Sequence, residues 1–409
     1  MPANISSKLT AFSKVFQASI ISFIAILALA IYDFVLPIFT EERAESFAIV
    51  GIIVSLVYVA SLLAEVPIGL AVDRYGRVKI LLLAMASMGL IGLVYFLIDN
   101  LVLLAILSLI FGTIAVAFWV PSAVLIRDYS PRKMLSQAEG VYMSLTQVGW
   151  IVGPILAGLI STLFLDKHNF LFVSLFMFIA VVLGAFIFRG IKAKNFRKAE
   201  KGHRHRSRIT LLATIFREYI GVHKHAAPLY ILTLSAYIWI AIEWAFVAVA
   251  SMDRFGFSEV GVGLILGTMM AVEGLLYYSS GFIMDKIGKK YIITAGFFLL
   301  FASAYFMFLA ASPAVFIFAA LIGAASVSWI LPGTEALLTE IVPANLYGEM
   351  SGVFDTSKDF GMIFGPLLGG ALATFLVNPL APFLLVAVFA GAATLLSGWV
   401  FWPEKKHGK

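Results

Sequence analysis

Long apolar runs separated by short polar clusters recur along the entire chain. Twelve can be drawn, at 17–39, 47–71, 80–98, 101–126, 139–164, 170–188, 228–250, 259–282, 291–310, 314–338, 351–376 and 381–402. Most are about 20 residues or longer, which is what a helix needs to cross a hydrocarbon layer of about 30 Å. They are apolar all round, whereas barrel strands are about 10 residues long and alternate polar with apolar. The pattern predicts an all-α membrane protein with twelve transmembrane helices. An "ALA" at 28–30 resembles a signal cleavage site, but the first run, at about 23 residues, is too long for a signal core and is read as a span.

Composition agrees, with 61% of the 409 residues apolar and 13% charged. The net charge of +6 raises the question of nucleic acid, and the placement of the basic residues answers it. With the N-terminus inside and the spans alternating, inner segments hold 25 of the 29 lysines and arginines. Arg43, Lys167 and Arg254 fall outside, and Lys358 within a span. This is the positive-inside asymmetry. It predicts two cytoplasmic termini, a lipid bilayer as the partner, and no nucleic acid. With no cysteine in the chain, disulfides, thiolate metal sites and cysteine catalysis are excluded.

The chain also repeats itself. "GLAVDRYGRVK" at 69–79 returns as "GFIMDKIGKK" at 281–290, so Gly69, Asp73, Arg74, Gly76 and Arg77 map onto Gly281, Asp285, Lys286, Gly288 and Lys289. "GVYMSLTQVGWIVGPILAG" at 140–158 returns as "GVFDTSKDFGMIFGPLLGG" at 352–370, which sets Gly140, Gly149, Gly153, Pro154 and Gly158 against Gly352, Gly361, Gly365, Pro366 and Gly370. The shift is 212 residues in both blocks. Two pseudo-symmetric six-helix bundles are therefore expected, at 1–188 and 226–409, in parallel topology. The linker between them, 189–225, holds eleven basic residues. Its Ile209, Leu212, Phe216 and Tyr219 recur at the spacing of an amphipathic helix lying on the inner membrane surface. His203 and His205 are read as part of a solvated loop, with no metal and no cofactor expected.

These motifs resemble the major facilitator superfamily. The 69–79 stretch is similar to that family's GxxxDRxGR loop between the second and third spans, and the 140–158 stretch to the glycine-proline motif of its twelve-span drug:proton antiporters. Ala157 stands where a glycine of the closing pair is usual, Val78 where a second basic residue is usual, and Ser108 where many such antiporters carry an arginine. The resemblance implies the major facilitator fold. It further implies that Gly69 and Gly281 let their helices approach the eleventh and fifth spans, with Asp73 facing the helix end near Gly352 and Asp285 that near Gly140. Arg77 is expected to pair with Asp128, and Lys289 with Glu340, 212 residues on. Together these residues would form a conformational lock. Gly149, Gly153, Pro154 and Gly158, with Gly361, Gly365, Pro366 and Gly370, are expected to bend their helices and let them pack closely.

Carboxylates inside a membrane are costly and default to a functional role. Asp33, Glu65, Glu243 and Glu273 lie in the first, second, seventh and eighth runs, the helices that the resemblance places around a central cavity, so they are candidates for proton coupling or substrate binding. Tyr32, Trp119, Trp239, Trp244 and Trp329 are candidate cavity aromatics, whose faces suit a cation or a flat apolar molecule. Asp355, Lys358 and Asp359 share a face of the eleventh run, as a cytoplasmic gate or an intrahelical ion pair. No span interior other than that of Lys358 carries a basic residue, which argues against organic anions.

The functional expectation is a monomeric secondary transporter of a bacterial or archaeal plasma membrane, exporting lipophilic or cationic small molecules in exchange for protons. Uptake or facilitated diffusion of a nutrient such as a sugar or amino acid is the alternative. A transporter-like sensor ranks below both, and an enzyme last, because no HExxH, GxSxG or GxGD pattern is present.

Overall fold

The computed structural model describes residues 3–130, 134–189, 226–342 and 347–401. The predicted linker helix, His203 and His205 lie outside them. Among the described residues twelve helices are long and apolar enough to cross a membrane. They are α1 (Ala3–Ala44), α2 (Phe47–Tyr75), α3 (Arg77–Leu97), α4 (Leu101–Tyr129), α5 (Leu135–Leu163), α6 (His168–Ile187), α7 (Ala227–Phe255), α8 (Glu259–Ile287), α9 (Lys289–Phe308), α10 (Pro313–Ile341), α11 (Tyr347–Leu376) and α12 (Ala381–Phe401).

The 212-residue shift reappears in the helix boundaries. α8, α9, α10 and α11 each begin 212 residues after α2, α3, α4 and α5. The break between α2 and α3 turns on Gly76 at φ 92°, and that between α8 and α9 on Gly288 at φ 102°. Only glycine adopts that backbone cheaply, so the motif glycines are fixed by the sharpness of the turn.

Packing repeats as well. In the first half α1 lies against α5 and α6, α2 against α4, and α3 against α4 and α6. In the second half α7 lies against α11 and α12, α8 against α10, and α9 against α10 and α12. The halves meet through α2 with α11, α5 with α8, and α1 with α7, which leaves α3, α6, α9 and α12 as outer helices.

Lipid tails are as apolar as leucine, so helices inside a membrane are held by close van der Waals packing more than by the hydrophobic effect. In the first half an aromatic block does this: Tyr32 stacks on Phe111 at 3.7 Å between ring centroids, and Tyr95 on Phe170 at 4.8 Å. A hydroxyl chain runs through it from Tyr32 to Tyr95 (3.0 Å) and on to Ser108 (3.1 Å). Ser108 thus completes a buried hydroxyl chain at the position where an arginine was the family expectation. Where no large side chain fills the gap the backbones touch. A Cβ on Gly112 of α4 would sit 2.0 Å from the Val57 carbonyl oxygen of α2. Gly112→Val should therefore lower stability by about 1–3 kcal/mol through overpacking. Gly398→Ala, at a glycine with open space around it, should leave the melting temperature in detergent nearly unchanged in the same thermal-shift measurement.

Candidate functional site: the seam between the halves

The chain's two faces differ. At the face away from the termini, the backbones of the two halves are in contact. A Cβ on Gly51 of α2 would lie 2.1 Å from the Pro366 oxygen of α11, and one on Gly263 of α8 would lie 2.4 Å from the Pro154 oxygen of α5. Residues 51 and 263, and 154 and 366, are each 212 apart. The next positions outward follow the same rule: a Cβ on Gly370 would lie 2.3 Å from the Phe47 oxygen, and one on Gly158 2.3 Å from the Glu259 oxygen. The next inward do too: Ser55 Oγ donates to the Ile363 oxygen at 2.8 Å, and the Cβ position of Gly267 lies 2.8 Å from the Ile151 oxygen. Gln147 closes this seam near its middle by donating from Nε2 to the Met270 oxygen at 2.8 Å.

The glycine-proline motif accounts for the arrangement. Gly149 and Gly153 press α5 onto α1 at Leu27 and Ala30, and Gly361 and Gly365 press α11 onto α7 at Tyr237 and Ile238. Pro154 and Pro366 sit inside helices that continue past them. A proline cannot donate, and its ring crowds the preceding turn; here it is the proline's own carbonyl that the opposite half's glycine meets.

Toward the termini face the seam is open. Gly69, Gly140, Gly281 and Gly352 have no described atom within 4 Å of an added Cβ. Asp73 and Asp285 are exposed and bond no described residue across the halves. The expected contacts of Gly69 with the eleventh helix and of Gly281 with the fifth are therefore not made among the described residues in this conformation. Both expected ion pairs, Arg77 with Asp128 and Lys289 with Glu340, are formed. Each lies within a half, tying α3 to α4 and α9 to α10.

The four acids occupy different surroundings. Glu65 is exposed at the open end of α2, with the carboxylates of Asp355 and Asp359 on α11 close enough to repel it. Asp33 is half-buried near the Tyr58 phenol. Glu243 is 1% exposed, its Oε1 has no hydrogen-bond partner among the described residues, the Trp239 indole lies close to its carboxyl, and Glu273 on α8 is the charged group that acts on it. No ion pair reaches any of these four among the described residues. Lys358 is held elsewhere: it bonds Asp355 at 3.1 Å and Glu335 of α10 at 3.1 Å, with its ammonium 4.7 Å from the Phe354 ring centroid. Of the two expectations for this group, the pair within the helix is realised and extends to α10.

The aromatics divide. Trp119 is 41% exposed and parallel to Trp150 at 6.4 Å, which in turn contacts Trp244 at 5.2 Å. This tryptophan row runs from α4 through α5 to α7 and so crosses between halves. Tyr32 and Trp239 are not on it. Tyr32 is fully buried in the first half's aromatic block, and Trp239 is fully buried with its ring against Gly323 of α10. Successive residues on a helix point about 100° apart, so Tyr32 turns inward to its own bundle while its neighbour Asp33 does not. Trp329 is half-buried with Nε1 unpartnered. Glu335, Gln147, Trp150 and Ser55 escaped the sequence reading. Among them, Glu335 carried a signal, as a lone acid near the end of an apolar run.

The Major Facilitator Superfamily model matches residues 18–258 and 229–409, and the chain belongs to that family. It is a multi-pass integral membrane protein of the plasma membrane and a transporter, and the family's members are not enzymes. Multidrug resistance protein 2 of Bacillus subtilis is 26% identical over 395 residues, covering 94% of each chain. An uncharacterized MFS-type transporter of Methanocaldococcus jannaschii is 23% identical over 371 residues, covering 89% of this chain and 92% of the relative. Among solved structures, the nucleoside transporter NupG superimposes with a TM-score of 0.77 at 13% identity, covering 96% of this chain and 100% of that one.

Because the seam rests on backbone contact, a side chain there should pry it open. The chain has no cysteine, so single reporters can be placed in it directly. With a cysteine at Ser55, Gly51→Val and Gly263→Val should each raise labelling by a membrane-impermeant maleimide from the face away from the termini several-fold. Gly69→Val, at the open end, should not.

Proposed function

We propose that this protein exports lipophilic or cationic small molecules in exchange for protons, by alternating access, with both termini in the cytoplasm. The observation that carries the reading is the Glu243 carboxyl. It lies deep in α7 beside Glu273 and the Trp239 indole, with no cation and no hydrogen-bond donor at Oε1 among the described residues, one residue from Trp244 on the row that joins the halves. A lone carboxylate in hydrocarbon is too costly to serve as packing, while a carboxyl that takes up and gives off a proton as the cavity changes faces couples transport to the membrane potential. One proton entering supplies about 2.3 kcal/mol per 100 mV.

Asp33, Glu65 and Glu273 are assigned to the same acidic cavity, which attracts cations and lacks a counter-ion of its own, since Lys358 is occupied by Glu335 and Asp355. The row of Trp119, Trp150 and Trp244 offers faces for a flat apolar or cationic substrate. In the reverse conformation Asp73, Arg74 and Gly69 close on α11, and Asp285, Lys286 and Gly281 on α5, with the Arg77–Asp128 and Lys289–Glu340 pairs keeping each loop in place. The similarity to Multidrug resistance protein 2 supports the export direction.

Everted vesicles test the reading. A panel of lipophilic cations should discharge a preformed pH gradient in a saturable manner. Glu243→Gln and Asp33→Asn should lower that substrate-induced proton release at least tenfold while leaving binding measurable. Uphill transport at the normal rate in both variants would contradict the coupling assignment. Counterflow without proton movement would instead indicate nutrient uptake or facilitated diffusion, and saturable binding without flux a sensor.

A further inference from the structure

The stripe of α5 that faces α8 is Gln147, Ile151, Pro154 and Gly158, and the stripe of α11 that faces α2 is Asp359, Ile363, Pro366 and Gly370. Residues three or four apart share one face of a helix, and the two stripes are related by the 212-residue shift. Isoleucine, proline and glycine are identical in both. The innermost level alone differs, with an amide on one seam and an acid on the other. That difference changes what the position can bond. Gln147 Nε2 donates to the Met270 carbonyl of α8 at 2.8 Å, and an amide can donate at any pH. The residue of α2 that corresponds to Met270 is Tyr58, whose backbone carbonyl only accepts. An ionised carboxylate has no hydrogen to give it, whereas a protonated one has. Asp359 can therefore make the bond of Gln147 only while it carries a proton.

In this conformation the bond is not made: Asp359 Oδ2 is buried and has no hydrogen-bond partner among the described residues. Size is exchanged along with chemistry. Gln147 lies against Gly274, where a Cβ would sit 2.7 Å from its Cγ, and the α2 residue corresponding to Gly274 is Leu62. An aspartate also reaches one methylene less far than a glutamine, so α2 and α11 must draw closer at this level before the carboxyl meets the α2 backbone. The charges around Asp359 act on that approach. Glu65 on α2 and Asp355 on its own helix repel it, and Lys358 attracts it. Lys358 is bonded to Asp355 and to Glu335 of α10 and lies toward the Tyr237 ring of α7. The remaining neighbour, α12, has no titratable side chain. A proton on Asp359 thus removes one of three carboxylates from the open end of the seam and supplies a donor to it.

We propose that Asp359 is a proton-dependent latch between α2 and α11. Carrying a proton, its carboxyl donates to the α2 backbone at Tyr58, as Gln147 does to Met270, and the termini face closes. Ionised, it repels Glu65 and that face stays open. Asp359 is a positioning residue in this role, acting on the helices. The latch rests on the alternating-access reading given above, but not on which compound is carried or on Glu243 as the coupling acid.

Spin labels at Tyr75 of α2 and Thr356 of α11 report this seam by electron-electron resonance, in the full-length protein in nanodiscs at about pH 5 and about pH 9, on either side of neutrality where a buried carboxyl titrates. In the otherwise unchanged chain the short-distance population should be roughly fivefold larger at the acid pH, the ratio equivalent to about 1 kcal/mol for one hydrogen bond. Asp359→Asn, whose amide donates without a proton, should hold the short-distance population at both pH values, with an unchanged melting temperature as its folding control. Adding Gln147→Glu to Asp359→Asn moves the acid to the other seam and should restore the pH response. Glu243→Gln should keep it. A distance that ignores pH in the parent would overturn the latch, and so would a response that survives in Asp359→Asn or vanishes in Glu243→Gln. Proton release in everted vesicles tests the export reading separately, so if the latch fails while that release persists, the export reading stands without it.

Discussion

The structure depends on how closely two helix backbones approach inside a membrane. Without a hydrophobic force to draw helices together, contact energy grows only as the chains come near enough for carbonyl oxygens to meet Cα atoms. In this chain that happens at Gly51 against Pro366 and at Gly263 against Pro154, flanked by Gly370 against Phe47 and Gly158 against Glu259. These contacts join the halves along α2–α11 and α5–α8, and they involve almost no charge. A seam made of backbone contacts can separate and re-form without stranding an ion in lipid, which a hinge needs and a salt-bridged seam would hinder.

Charge is kept where it does not obstruct that movement. The ion pairs of the termini face, Arg77–Asp128 and Lys289–Glu340, bind neighbouring helices of the same half and so travel with it. Lys358 is similarly retained by Glu335 and Asp355 inside the second half. Among the described residues, Asp33, Glu65, Glu243 and Glu273 pair with no cation. Each half is in turn packed within itself, the first around the stacked Tyr32, Phe111, Tyr95 and Phe170, which suits the exchange of closed faces proposed above. The proposed proton-driven export would use this division of an apolar seam from an acidic cavity.

Much of this was legible in the residues. Twelve spans followed from apolar length alone, and the duplication from a constant 212-residue shift that the helix boundaries reproduce. Both ion pairs could be foreseen because one register placed Asp128 and Glu340 opposite their partners. What could not be read was rotational phase. The runs are apolar all round, so nothing in the sequence says which way a given residue turns. Tyr32 and Trp239, expected as cavity aromatics, are near the acids Asp33 and Glu243 but fully buried. Trp150 went unnoticed beside a motif glycine, although it links Trp119 to Trp244. The glycine-proline motif was expected to bend its helices and let them pack closely; that Pro154, Gly158, Pro366 and Gly370 pack across the seam required knowing that the halves meet at one face. For Gly69 and Gly281, expected to meet the opposite half, the sequence does not say which face of the seam is closed, and both have open space around them here.

The central claim is that two rigid, matching halves exchange one closed face for the other. Spin-label pairs at Phe47 and Phe375, across the face away from the termini, and at Tyr75 and Asp355, across the termini face, measure it directly by electron-electron resonance. On changing pH or adding a transported compound, the first distance should lengthen as the second shortens, within the same molecules. Distances that stay fixed, or that lengthen together, would contradict the account.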